Sequence, residues 1–203
     1  MSGERTATIE TKPQPSEEKD GRRLRSQDSR ARIVAAMLAL IREGEVSPSA
    51  EQVAGRAQVG LRTVFRHFKD MDSLYREMSE VIETEVHRIK DAPFIAADWR
   101  GRVLELVDRR FTVFERIAPF KRASDVYRHR SRFLGNDNRR LVVGLREILE
   151  RVVPIEELPD PRLFEALDLL LSFEAWARLR FEQNLSQAEA SEVLRAAVAR
   201  LIA

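Results

Sequence analysis

The stretch SAEQVAGRAQVGLRTVFRHF, residues 49–68, holds two short helices and the turn between them. Ser49 followed three residues later by Gln52 is a capping box, so a helix starts at about Ala50. Val53 and Ala54 face inward, and Ala57 and Val59 bracket a turn of a few residues. The second helix buries Val64 and Phe68, four residues apart, and turns Arg62 and Arg66, also four apart, outward beside Thr63 and His67. A short helix with an apolar back and a basic front suits the major groove of DNA. The pattern is a helix-turn-helix.

Outward from this stretch the pattern holds. Residues 31–44 place apolar side chains at Ile33, Val34, Met37, Leu38 and Ile41, a helical stripe that Gly44 is suited to end. After it, residues 69–74 (KDMDSL) lead into a fourth helix over about 72–90. The motif Thr63-Val64-Phe65-Arg66-His67-Phe68, preceded by Val53-Ala54 and followed by Met71-Asp72-Ser73-Leu74, resembles the N-terminal domain of the TetR/AcrR family of bacterial transcription regulators. The resemblance is close over about 45 residues and rests on helix order beyond them. It departs from the family pattern at four positions. Gln58 stands for the turn glycine, Gly60 for the capping serine, Phe65 for a tyrosine and Met71 for a lysine. The last three remove groups that the family uses toward phosphate or to cap the recognition helix.

The resemblance implies an all-α fold of about nine helices. A helix-turn-helix domain over 26–75 would carry a ligand-binding and dimerisation bundle over 76–203, with residues 1–25 as a disordered arm ending in Arg22, Arg23 and Arg25. It further implies double-stranded DNA with a palindromic operator as partner, a homodimer, and a repressor released by a small molecule. Two recognition helices must stand about 34–36 Å apart to read successive major grooves.

The DNA-facing residues are expected to be Ser49, Leu61, Arg62, Thr63, Phe65, Arg66, His67 and Lys69, joined by the three arginines of the arm. Arg62, near the helix start, is placed for a guanine, Leu61 and Thr63 for thymine methyls, and His67 and Lys69 for phosphate. Between residues 21 and 69 basic side chains outnumber acidic ones ten to four, although the whole chain carries only +2.

The C-terminal part reads as helices throughout. Asp98 caps one, Pro119 starts a shorter piece, Asn136 or Asn138 opens the next, and a long helix runs from Asp160 to about Gln183. Ser186 and Glu189 form a second capping box before the last helix. The Asp160–Gln183 helix is apolar nearly all round, which suggests a second buried face. The resemblance implies a dimer interface built from the last two helices, with Leu163, Leu167, Leu170, Leu171, Val193, Ala197 and Leu201 as the expected contacts. Phe111, Phe114, Phe120, Tyr127, Phe133, Phe173, Glu174 and Trp176 are the expected ligand-pocket residues. The basic residues between Lys121 and Arg132 form a possible anion site.

No cofactor or metal is implied. The chain has no cysteine, and His67, His87 and His129 lie far apart in sequence. Neither a phosphate-binding glycine loop nor a G-x-S-x-G or H-E-x-x-H motif is present, so an enzyme is not expected. Without an 18-residue apolar run or a hydrophobic N-terminal segment, a cytoplasmic protein outside the membrane is expected. The rival reading is a helical ligand-binding or adaptor protein whose helix-turn-helix has lost DNA binding through the four substitutions.

Overall fold

The computed structural model describes residues 15–127 and 132–203. Among these residues the chain forms nine α-helices and no strand: α1 (Pro15–Arg42), α2 (Ala50–Ala57), α3 (Leu61–His67), α4 (Met71–Lys90), α5 (Trp99–Tyr127), α6 (Arg132–Val152), α7 (Arg162–Leu170), α8 (Phe173–Ala177) and α9 (Gln187–Leu201). A single π-helical turn, Arg178–Glu182, extends α8. No helix is long and apolar enough to cross a membrane, and no cluster of potential metal ligands occurs, among the described residues.

Two apolar cores divide the molecule. In the first, Ile33, Met37 and Ile41 of α1 meet Val53 and Ala54 of α2, Val64 and Phe68 around α3, and Leu74, Tyr75 and Met78 of α4. The apolar stripe read in residues 31–44 is thus buried, and Gly44 ends it at φ +101. The second core fills the bundle of α5 to α9. The boundary drawn between residues 75 and 76 does not separate them. Met78 of α4, Phe120 and Ala123 of α5 and Leu134 of α6 all pack into the first core, and Ile82 lies against both.

Several helix limits differ from the sequence expectation, each for a local reason. α1 already begins at Pro15, so the arm expected over 1–25 is helical from there on. Proline is tolerated in a first helical turn, since its missing N–H has no partner there in any case. Residues 1–14 lie outside the described residues. α5 passes through Pro119 instead of restarting there. An interior proline costs about 3 kcal/mol. Ile117, Ala118, Phe120 and Ala123 are all buried around it. Burying one large apolar side chain returns about 1.5–3 kcal/mol, so the packing outweighs the lost bond. α6 opens at Arg132, four residues before Asn136.

The helix expected from Asp160 to Gln183 is broken at Leu171–Ser172. Ser172 takes an extended conformation, accepts a hydrogen bond from the Ala175 N–H at 3.1 Å and donates to the Leu169 carbonyl at 2.7 Å. A serine that can cap a new helix competes with continuing the old one. Both capping boxes, at Ser49 and Ser186, form as read.

The turn between α2 and α3 contains the one departure that strains the backbone. Gln58 sits in the left-handed region, φ 53 and ψ 46, and its N–H donates to the Gly55 carbonyl. Arg32 of α1 holds the same turn by donating to the carbonyls of Ala57 at 2.5 Å and Gln58 at 3.2 Å. A Gln58→Gly substitution removes the Cβ clash and leaves these carbonyls in place. It is expected to raise unfolding stability by about 1 kcal/mol in urea titration, and a loss of stability would contradict the strain.

Candidate nucleic-acid interface

The helix-turn-helix is fixed from behind. Val64 and Phe68 are 1% and 2% exposed, anchoring α3 on the first core. Arg30 of α1 then locks its end. Its guanidinium donates to both carboxylate oxygens of Glu77 on α4 and to the carbonyl of His67 at 2.9 Å. It also lies 4.5 Å from the Phe68 ring centre. One side chain therefore ties α1, the C-terminal end of α3 and α4 together.

The opposite face of α3 is open. Leu61 and Phe65 are 38% and 50% exposed, and Arg62, Arg66 and Lys69 are exposed beside them, with Thr63 half-buried. Among the described residues Arg62, Arg66 and Lys69 make no hydrogen bond or ion pair, so their charge is available to a partner. Ser49 is exposed at the start of α2, with its hydroxyl accepting from the Gln52 N–H at 3.2 Å. Gly60 caps α3 with no side-chain bond. Arg23 and Arg25 are exposed on α1, and the side chain of Arg22 lies outside the described residues.

His67 departs from its expected role as a phosphate contact. Its Nε2 is buried without a hydrogen-bond partner among the described residues. Burial, then the charges of Arg66 and Arg30, hold its pKa below the ordinary histidine value, against a smaller opposing effect of Glu77. An imidazolium here would bury an N–H with no acceptor. The folded state therefore binds this proton less readily than the unfolded state. Stability is fully present above the unfolded value of about 6.5 and declines as pH falls through the lower folded value. We expect the urea midpoint to drop between pH 7 and pH 5, and His67→Asn to flatten that part of the profile. An unchanged profile in the variant would remove His67 as its source.

Behind the helix-turn-helix, α4, α5 and α6 line an open-mouthed cavity of about 540 Å³. Its wall is mainly aliphatic: Met78 and Ile82 from α4, Leu106, Val113 and Ile117 from α5, and Leu134, Leu141, Leu145 and Ile148 from α6. Of the expected pocket residues that are described, Phe120 alone lines it. Phe111, Phe114, Phe173 and Trp176 belong to the second core, where Trp176 is fully buried with ring centres of Phe173 at 5.0 Å, Phe181 at 5.4 Å, Phe114 at 5.9 Å and Phe111 at 6.2 Å. Phe111 and Phe181 meet the indole edge to face, Phe114 and Phe173 lie tilted on it, and Phe111, Phe114, Phe173 and Trp176 spend their surface on one another. Glu174 is on the surface, 3.7 Å from the Lys121 ammonium. The side chains of Tyr127 and Phe133, and residues 128–131 of the basic run, lie outside the described residues.

Sequence reasoning missed Arg110. It is 4% exposed, lines the cavity, and donates to the carbonyls of Leu171 at 2.8 Å and Leu145 at 2.5 Å. The break after α7 is what frees the Leu171 carbonyl to receive it. Burial pushes this guanidinium down to about 10. The available signal was a charge on an apolar helix face, in line with Val113 and Ile117.

The expected dimer contacts divide as well. Leu167 and Leu171 are buried in the second core, so they cannot also face a second subunit. Leu163, Leu170, Ala197 and Leu201 are half-buried, and Val193 is 46% exposed. Leu169 of α7 is 69% exposed.

No family model matches the chain and no curated protein matches it in sequence. Solved structures do match. A proposed transcriptional regulator from Streptomyces coelicolor A3(2) is 25% identical, covering 85% of this chain and 97% of that one at a TM-score of 0.58. A proposed TetR-family regulator from Mesorhizobium loti is 21% identical, covering 88% and 96% at 0.58. Another from a Rhodococcus species is 16% identical, covering 87% and 100% at 0.65. The likeness covers most of this chain and nearly all of each of the others, and the chain therefore has the all-α fold of TetR-family transcriptional regulators.

Proposed function

We propose that this chain is a DNA-binding transcription regulator acting as a homodimer, a repressor that leaves a palindromic operator when a small molecule enters the cavity behind α4. The observation that carries the reading is the outer face of α3. Three cations without partners among the described residues stand beside exposed Leu61 and Phe65, on a helix whose back is sealed into a core. Free cations meet phosphates and guanine edges, and exposed apolar groups meet thymine methyls. The fold it shares with proposed regulators supports the same assignment. The second subunit would cover Leu169, Val193 and the half-buried leucines of α7 and α9.

Coupling follows from the arrangement of α4. Met78 and Ile82 line the cavity, while Glu77 of the same helix holds Arg30, which holds the His67 carbonyl. A ligand that shifts α4 would thereby move α3. A mobility-shift titration on DNA flanking the chain's own gene, repeated across salt concentrations, tests the reading. A saturable, palindrome-specific shift that weakens steeply with salt is expected. Only weak, sequence-independent binding on flanking and genome-wide fragments would favour a ligand-binding or adaptor protein.

A further inference from the structure

Resting on the cavity reading above, we infer that the ligand is an amphipathic organic acid, its acidic head on Arg110 and its apolar body along Val113 and Ile117 of α5 and Met78 and Ile82 of α4. The argument is one of charge balance. Four cations line the cavity: Arg109, Arg110, Lys121 and Arg140. Arg109 turns to Glu105 at 3.3 Å and to the carbonyls of Ala92 and Pro93. Arg140 pairs with Asp137 at 2.9 Å and Glu83 at 3.7 Å. Lys121 donates to the Asn138 side-chain oxygen at 2.6 Å, with the Glu174 carboxylate at 3.7 Å and the Phe173 ring centre at 4.8 Å. Arg110 differs from all three. Among the described residues it has no carboxylate within ion-pair distance, and the nearby Asp168 carboxylate is engaged by Arg146 at 3.1 Å.

A guanidinium has five N–H donors, and Arg110 uses two of them on carbonyls. Its Nε is buried and has no partner among the described residues. A buried cation whose direct partners are carbonyl dipoles, with its nearest carboxylate shared with Arg146, gains most from an anion brought to it. It remains charged at neutral pH, since burial lowers its pKa only to about 10. Positions 110, 113 and 117 lie along one face of α5, so a chain leaving the acid group meets aliphatic side chains next. The acids of the wall do not repel such a head: Glu83 and Asp137 are held by Arg140, Glu80 is exposed, and Asp125 stands far along α5 from Arg110, about 22 Å at the rise of a helix.

The test compares decanoate with 1-decanol, which differ in the head group, as displacers of the neutral dye Nile red from the full-length chain. Decanoate should displace the dye at roughly ten- to hundredfold lower concentration than decanol. Arg110→Gln should erase that preference, and Arg110→Lys should retain part of it. Lys121→Gln should leave it intact. Equal displacement by the acid and the alcohol overturns the assignment while sparing the cavity reading. A preference that survives Arg110→Gln but vanishes in Lys121→Gln overturns it too. Failure of Nile red, decanoate and decanol alike to bind overturns both readings together. If the Arg110 variants do not fold, the comparison in the unaltered protein decides.

Discussion

Arg62→Ala is expected to weaken operator binding by about 1–3 kcal/mol per half-site, roughly five- to 150-fold, and to relax the preference at one base position in each half. The expectation rests on where the side chain stands. Arg62 is the second residue of α3, exposed and without a partner among the described residues, so removing it disturbs no internal contact. Stability should therefore stay within about 0.5 kcal/mol of the unaltered protein, which separates lost recognition from lost folding. The measurement is a binding titration against operators varied one base pair at a time. A loss equal on every sequence would make Arg62 a phosphate contact, and no loss at all would take it out of the interface.

The second large effect falls on stability. Trp176→Ala should cost about 3–5 kcal/mol and lower the melting temperature by roughly 6–20 °C at equal protein concentration. Trp176 is 0% exposed and in contact with four phenylalanine rings, so its removal leaves a cavity that neighbours from α5, α8 and the π turn cannot readily fill. Trp176→Phe should be milder. It keeps a ring in the cluster and removes an indole N–H that is buried without a partner among the described residues. A melting temperature unchanged in Trp176→Ala, with ligand affinity altered instead, would return the ring to the wall of a binding site.

Trp176 also shows where the sequence could be read and where it could not. The helix-turn-helix was legible because its signals are local: a capping box at Ser49 and Gln52, and apolar residues at helical spacing that can point only one way. Even the strain at Gln58 could be anticipated, since a residue with a Cβ stands where the turn demands positive φ. The bundle offered no such constraint. An aromatic residue at helical spacing looks alike whether its ring meets other rings or a void, and that depends on the positions of α5, α7 and α8 relative to one another. Aromatics were thus expected around a space that aliphatics from α4, α5 and α6 in fact line. Pro119 and Ser172 misled for a related reason. Proline is a common helix breaker and a lone serine is not, yet long-range packing carried α5 past Pro119, while Ser172 capped a new helix.

The Arg30 lock bears on how this protein would respond to ions. Of the ten basic side chains between residues 21 and 69, Arg30 is bound to Glu77, Arg56 to Glu43, and Arg32 to two carbonyls. Arg42 lies over the Phe120 ring. Arg23, Arg25, Arg62, Arg66 and Lys69 remain exposed, and Arg22 lies beyond the described side chains. Much of the basic excess is thus mortar between helices. A DNA duplex would meet about five to six cations per subunit, and the counterions it sheds would number accordingly, well short of what the count of arginines implies.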